Sequence, residues 1–216
     1  MKFKNICFYI FIILFLAACE KSTETERFML SGSEKELAPY IQNQHIKFIH
    51  SKGYEYDFKV TDVKLDFLRS YEVPGIMFQS GNYIAYQRKS VTMNSTIPYL
   101  TIKIELGYLA YSFGSPMNPE TTSVDLVVDS LKELRVYLDN YYAIMYYNKN
   151  MIFNSKSDSV TCYDSVKING KTYLNVVESK FYYHSIAKDS SPKSVLYNAN
   201  GLIQIKLCND EYFSIK

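Results

Sequence analysis

The chain has 216 residues, with 24 Lys and Arg against 22 Asp and Glu, 21 Tyr, 13 Phe and no Trp. That length suffices for one large domain or two small ones with a core of ordinary size. Residues 1–18 read as a removable segment, and losing Lys2 and Lys4 takes the basic count from 24 to 22, so the mature chain is formally neutral. Binding to nucleic acid or anionic lipid headgroups rests on clustered Lys and Arg, so this neutral balance excludes both as partners. The aromatic load favours the pleated, half-buried surface of strands.

Lys2 and Lys4 precede an uncharged run from Ile6 to Leu16, which ends in small residues before Glu20 and Lys21. A charged start, an apolar stretch and a small-residue end make an export signal, and the run is shorter than the roughly 20 residues that cross a bilayer. Leu16-Ala17-Ala18-Cys19 resembles the lipobox of bacterial lipoproteins. The resemblance implies that the Cys19 thiol carries a diacylglycerol group, that cleavage leaves Cys19 first, and that acyl chains hold the protein to the cell envelope. Glu20 does not decide between inner and outer membrane, although the lack of an Asp just after the cysteine tilts the expectation to the outer membrane of a Gram-negative cell. The plainer alternative is a secretory signal with an incidental cysteine. Three regions follow: a signal over 1–18, a lipidated Cys19 with a flexible polar tether over 19–33, and one antiparallel β-rich domain over 34–216.

In chain order, Glu20 to Ser33 has no hydrophobic period and reads as tether. Ser33 and Glu36 have capping-box spacing, which predicts a short helix through Leu37 and Ile41, with Pro39 inside it. A hairpin over 45–60 turns at Ser51-Lys52-Gly53, setting Phe48 opposite Tyr56, Ile46 opposite Phe58 and Lys47 opposite Asp57. The apolar parity then reverses, since Tyr56, Phe58 and Val60 give way to Val63, Leu65 and Phe67; a bulge near Thr61 would keep both halves facing the core. Pro74-Gly75 and Ser80-Gly81-Asn82 read as turns around short strands at 75–78 and 83–91. Leu100, Ile102, Ile104 and Leu106 alternate with Thr101, Lys103 and Glu105, a strand with one buried and one wet face. Residues 114–123, with Pro116 and Pro119, read as a long mobile loop. Segment 125–147 carries two patterns: helical spacing at Val127, Leu131, Leu134, Leu138 and Tyr141, and strand-like runs, of which 143–147 is assigned to strand.

Asn169-Gly170 is a type I′ hairpin signal joining 159–168 to 171–178, with Val166 opposite Tyr173 and Cys162 opposite Val177. Strands at 195–197, 202–208 and 212–215 complete a meander, in which a loop at 209–211 would set Leu207 opposite Phe213 and Ile205 opposite Ile215. Asp164 to Val176, with Tyr197, Gly201 to Ile205 and a closing aromatic strand, is similar to the tail of a group of small β-rich bacterial lipoproteins of unassigned function. That group often has glycine in the penultimate turn and Trp in the last strand, where this chain has Asn209-Asp210 and Phe213. The resemblance implies the compartment and a β fold and carries over no catalytic residue. The fold expected is mainly β, a single antiparallel sandwich or open barrel with one or two short helices.

The chain offers no catalytic, cofactor-binding or metal site by motif, since phosphate loops, HExxH, GxSxG and zinc-type cysteine spacing are all missing. His45 and His50 lie five apart on one strand and so point to opposite faces, and His184 follows Tyr182-Tyr183 with no ligand pattern. Cys162 falls on an apolar strand row and Cys208 at a turn, so the two are either a disulfide or two reduced, buried hydrophobes. Tyr141-Tyr142, Tyr146-Tyr147 and Tyr182-Tyr183 each send one ring inward and one outward, and the outward rings are core cover or a platform for a glycan or peptide. The expectation is a non-catalytic, membrane-anchored binding or structural module with a protein or glycan partner. A barrel holding a small apolar or glycan ligand is second, and an envelope hydrolase third.

Overall fold

Rows of alternating Tyr, Phe, Ile, Val and Leu need a second surface to bury against, and the chain supplies it by curling its sheet until the ends meet. The structure, a computed structural model, describes residues 23–71, 83–96, 99–108, 132–147, 153–154, 159–182 and 191–216. Its elements are β1 (Glu24–Phe28), α1 (Gly32–Glu36), β2 (His45–His50), β3 (Glu55–Tyr71), β4 (Tyr83–Thr96), β5 (Tyr99–Tyr108) and β6 (Lys132–Leu138). Then come β7 (Tyr141–Tyr147), β8 (Phe153–Asn154), β9 (Val160–Ile168), β10 (Lys171–Tyr182), β11 (Pro192–Asn198), β12 (Gly201–Leu207) and β13 (Tyr212–Ile215). Ten of these strands form a closed antiparallel barrel in the order β2-β3-β4-β5-β6-β7-β10-β11-β12-β13, with β13 pairing back to β2. Strand β8 flanks β7, β9 flanks β10, and β1 runs parallel to the start of β4.

Local turn chemistry sets the register of the hairpins. Gly53 and Gly170 take positive φ at their turns, and the β2–β3 and β9–β10 pairings are those the sequence predicts, Lys47 with Asp57 and Cys162 with Val177 included. The shift between Val60 and Asp62 is the bulge expected at Thr61. Beyond it Val63 packs on the core, whereas Leu65 and Phe67 are exposed because β3 and β4 run on past the barrel wall. The expected helix starts two residues earlier, with Ser31 as N-cap and Glu34 closing the capping box, and it ends at Leu37 before Pro39. Residues 24–28, read as tether, form a strand because the open edge of β4 offers backbone partners.

Of the ambiguous segment 125–147, residues 125–131 lie outside the described residues and Lys132 to Tyr147 form a hairpin. Its helical spacing loses because β5 presents Leu106, Ile104 and Ile102 in register with Leu134, Val136 and Leu138, and Asp139 (φ 50°) makes the turn. Strands β12 and β13 pair with Ile205 opposite Phe213, two residues from the predicted register; Asp210 (φ 63°) makes the left-handed turn. A slip of two keeps every side chain on its expected face. The turns at 74–75 and 80–82, the strand at 75–78 and the loop at 114–123 lie outside the described residues.

The barrel interior is filled. Phe48, Phe58, Met93, Ile102, Ile104, Leu106, Leu134 and Met145 are fully buried there, and the segment around α1 enters one end with Leu30, Leu37, Ala38 and Tyr40. That insertion buries backbone polar groups, each of which must find a partner. Tyr197 donates to Leu37 O (2.6 Å), Lys89 Nζ to Lys35 O and Ala38 O (2.8 and 2.7 Å), and Leu30 N–H to Gln87 Oε1 (3.2 Å). Tyr40 Oη accepts from Leu202 N–H (2.7 Å), while Lys132 pairs with the buried Glu34.

Burial alone would raise the Glu34 pKa, but Lys132 and Ser31 together hold the carboxyl below its ordinary value. Its stabilising contribution is therefore present above the unfolded pKa of about 4.3 and is lost as pH falls through the lower folded value. Lys132→Met strands the carboxylate, and urea unfolding should show a loss of about 3 kcal/mol at neutral pH. That loss should shrink towards about pH 4, as Glu34 in the variant takes up a proton.

Candidate functional site

Three places on the outer wall gather polar or aromatic groups. The first is a row across β5, β6, β7 and β10, formed because Lys103, Tyr137, Tyr142 and Tyr182 are successive cross-strand partners. Tyr142 and Tyr182 stack (centroids 5.3 Å, 21° between planes), Tyr137 lies 5.9 Å from Tyr142, and the Lys103 ammonium sits 5.6 Å above Tyr137. Tyr147 is buried and Tyr141 packs on the core, so these doublets split inward and outward as expected; Tyr183 and His184 lie outside the described residues. The outward rings partly cover one another and are half-buried, with Tyr182 the most exposed of them (39%).

The second place is one row along. Glu105, expected on a wet face, is buried, and its carboxylate accepts from Lys103 Nζ (2.6 Å) and Tyr137 Oη (3.0 Å) with Arg88 at 3.3 Å. Glu133 is also buried and pairs with Arg135 (2.7 Å). Burial pushes the Glu133 carboxyl up, whereas around Glu105 the cations and the phenol outweigh burial and hold it down. Two carboxylates with diverging pKa values are an acid–base pattern. The adjoining cavity is about 100 Å³, however, which takes a few waters and falls short of the 300 Å³ or so of ordinary ligand sites. The cluster works as an ion network that ties β4, β5 and β6 together on the outside.

The third place has both volume and chemistry. Asn175, at φ 51°, kinks β10, and the tip of the β9–β10 hairpin folds over the outer face of β11, β12 and β13. Asn tolerates this left-handed conformation at modest cost. Asn169 Nδ2 donates to Ser214 Oγ (2.8 Å) and Asn198 Nδ2 to Leu174 O (3.1 Å), and under the tip Ile168, Val176, Leu196 and Ile203 form a second small core. A cleft opens on each side. One, about 410 Å³, lies between residues 171–175 and the Asn198-to-Ile203 turn, with Leu174 on its rim (62% exposed). The other, about 540 Å³, has Val166, Ile168 and Leu196 as its apolar lining and Lys167, Lys193, Lys206 and Gln204 as polar groups. Within it Glu178 accepts from Ser194 Oγ (2.6 Å), Lys206 Nζ (2.9 Å) and Tyr163 Oη (2.9 Å), which together overcome burial and keep the carboxyl ionised below its usual range.

No pattern in the sequence marks these cleft residues, because five strands contribute them and a fold-back brings them together. The available signal was Asn175 itself, a polar residue between Tyr173-Leu174 and Val176-Val177, where strict alternation breaks. The remaining sequence candidates stay apart. His45 is exposed and meets Asp57 (3.0 Å), while His50 is buried on the opposite face, accepting Lys52 N–H at Nδ1 and facing Glu211 with Nε2 (3.4 Å). Cys162 and Cys208 are not joined in a disulfide, and Cys162 is exposed on β9, a flanking strand outside the barrel ring, where the sequence reading has it buried. Among the described residues no group of three His, Cys, Asp or Glu side chains could hold a metal. Cys19 lies outside them.

Asn175→Val puts a β-branched residue at positive φ and should cost about 1–2 kcal/mol. Dye binding should rise as Leu196 and Ile203 become uncovered. Asn175→Gly, which accepts that φ, should leave both thermal unfolding and dye binding near the parent values. Comparisons with protein-family models, with curated proteins and with solved structures each returned no match, so the hairpin clefts stand as the candidate site on their own geometry.

Proposed function

We propose that this chain is a cell-envelope lipoprotein, held at the outer membrane by acyl chains on Cys19, that acts as a non-catalytic binding or interaction module through its outer wall. The observation carrying this reading is the filled barrel: side chains and the α1 plug occupy the interior, so a ligand or partner meets the outside. On that outside the clefts flanking the folded hairpin combine an apolar lining with ammonium and amide groups. This chemistry suits an extended polar chain with apolar patches, a peptide or a glycan. Their volumes, about 410 and 540 Å³, also fall in the range of small-ligand sites. The runner-up, a small glycan or apolar ligand, therefore belongs in these clefts and not within the barrel.

The anchor is tested by labelling cells with a fatty-acid analogue. Cys19→Ala should abolish incorporation and release the protein from the membrane fraction, and unchanged labelling would overturn the reading. The cleft is tested by placing a photo-crosslinking residue at Leu174 on its rim and, as control, at Tyr99, which is 77% exposed on β5, a strand that does not line either cleft. Crosslinks to envelope peptide or glycan should form at Leu174 and be lost in Ala199→Trp, which fills the same cleft from an exposed turn position; equal yields at both positions would count against the cleft.

A further inference from the structure

Among the described residues, β9 ends the sheet on one side and the outer part of β3 is a second open edge. β2 covers β3 as far as Lys59, and the residues just before β2 reach Val60, whose N–H donates to Gln44 O (2.8 Å) and whose carbonyl accepts from Asn43 N–H (2.8 Å). From Thr61 onward β3 pairs with β4 alone among the described residues. Val60 turns its backbone towards the β2 side; after the bulge at Thr61 that role passes to Val63, Leu65, Phe67 and Arg69, whose N–H and C=O groups face the open edge. Leu65 is 47% and Phe67 40% exposed, and Lys64 is solvent-exposed and pairs with Asp62 (2.6 Å), a contact that a second copy's Asp66 would share or replace.

An edge of this length is a template for another strand, and closed barrels ordinarily have none. We propose that it is the interface of a homodimer, in which β3 of a second copy pairs antiparallel about a two-fold axis at Leu65. Charge and the length of the overlap together choose this centre: one at Val63 also sets Asp62 against Lys64, but it ends at Thr61 because Val60 is already bonded to Gln44 and Asn43, and it leaves Phe67 uncovered. The edge reads Asp62-Val63-Lys64-Leu65-Asp66-Phe67. A two-fold at Lys64 sets Lys64 against itself and Asp62 against Asp66, and one at Asp66 sets Asp66 against itself. Both are penalised, because like charges directly opposite destabilise a pair.

Centred on Leu65, each Lys64 meets Asp66 of the other copy on one face. On the other face Leu65 meets Leu65, and Val63 meets Phe67, so the two exposed apolar side chains of each copy are covered together. The overlap runs over residues 61–69, stopping where Gln44 already occupies Val60. Lysine within an edge usually repels strands. Here an aspartate two residues to either side makes that lysine complementary to a second copy of the same edge.

The test uses the full chain with Cys7, Cys19, Cys162 and Cys208 each changed to Ser, so that only introduced thiols react. Paired residues in an antiparallel ladder have Cα atoms about 4.5–5.5 Å apart, within disulfide range. Leu65→Cys should form a covalent dimer on mild oxidation, Lys64→Cys alone should not, and Lys64→Cys with Asp66→Cys should. By sedimentation, Lys64→Glu should convert dimer to monomer with unchanged circular dichroism, and adding Asp66→Lys should restore the dimer. These charge changes sit on a solvated face and leave the core untouched. A parent protein that stays monomeric through the micromolar range, equal crosslinking of Leu65→Cys and Lys64→Cys, or a charge swap that fails to restore association would each overturn the proposal.

Discussion

A sheet of ten strands encloses a wider space than the eight-stranded barrels whose own side chains just fill them. Protein interiors tolerate little void, so the extra volume must be occupied. Residues 30–40 occupy it: Leu30, Leu37, Ala38 and Tyr40 enter one end and join the barrel core. The insertion would fail if it stranded backbone donors and acceptors, and Gln87, Lys89, Tyr197 and the Tyr40 hydroxyl meet them. Gly201 shows how close the fit is, since a Cβ there would lie 2.5 Å from Tyr40 Oη. Barrel closure and plug insertion thus depend on each other.

With the inside committed to packing, polar chemistry is displaced to the outer wall. Charged groups on β4, β5 and β6 neutralise one another through Arg88, Lys103, Glu105, Glu133 and Arg135. The tyrosine row beside them is largely self-stacked. The folded hairpin differs because its kink at Asn175 holds a strand pair away from the wall, and the gaps on either side are its direct geometric result. The flap and the outer run of β3 and β4 are thus both built outside the barrel ring.

Features governed by near neighbours could be read from the chain alone. The β2–β3 and β9–β10 registers follow from Gly53 and Asn169-Gly170, and the bulge at Thr61 follows from a parity change within a single strand. Residues whose state depends on a distant partner could not. Leu134 and Leu138 suit a helix as well as a strand until β5 offers an apolar row in register. Glu105 looks solvated until Arg88, Lys103 and Tyr137 surround it. Residues 24–28 have no apolar period because their strand is held by backbone bonds to the edge of β4.

Taken by itself, the chain determined the β character, the registers of the β2–β3 and β9–β10 hairpins and the position of the bulge, since each depends on propensity or spacing within a few residues. Only the tertiary structure decided that the sheet closes, that the α1 segment fills it, and that the β9–β10 tip folds outward. Those outcomes rest on contacts between residues far apart in sequence, such as Leu37 with Tyr197 and Asn169 with Ser214. No local pattern encodes such contacts, because their energy appears only when the ring is complete.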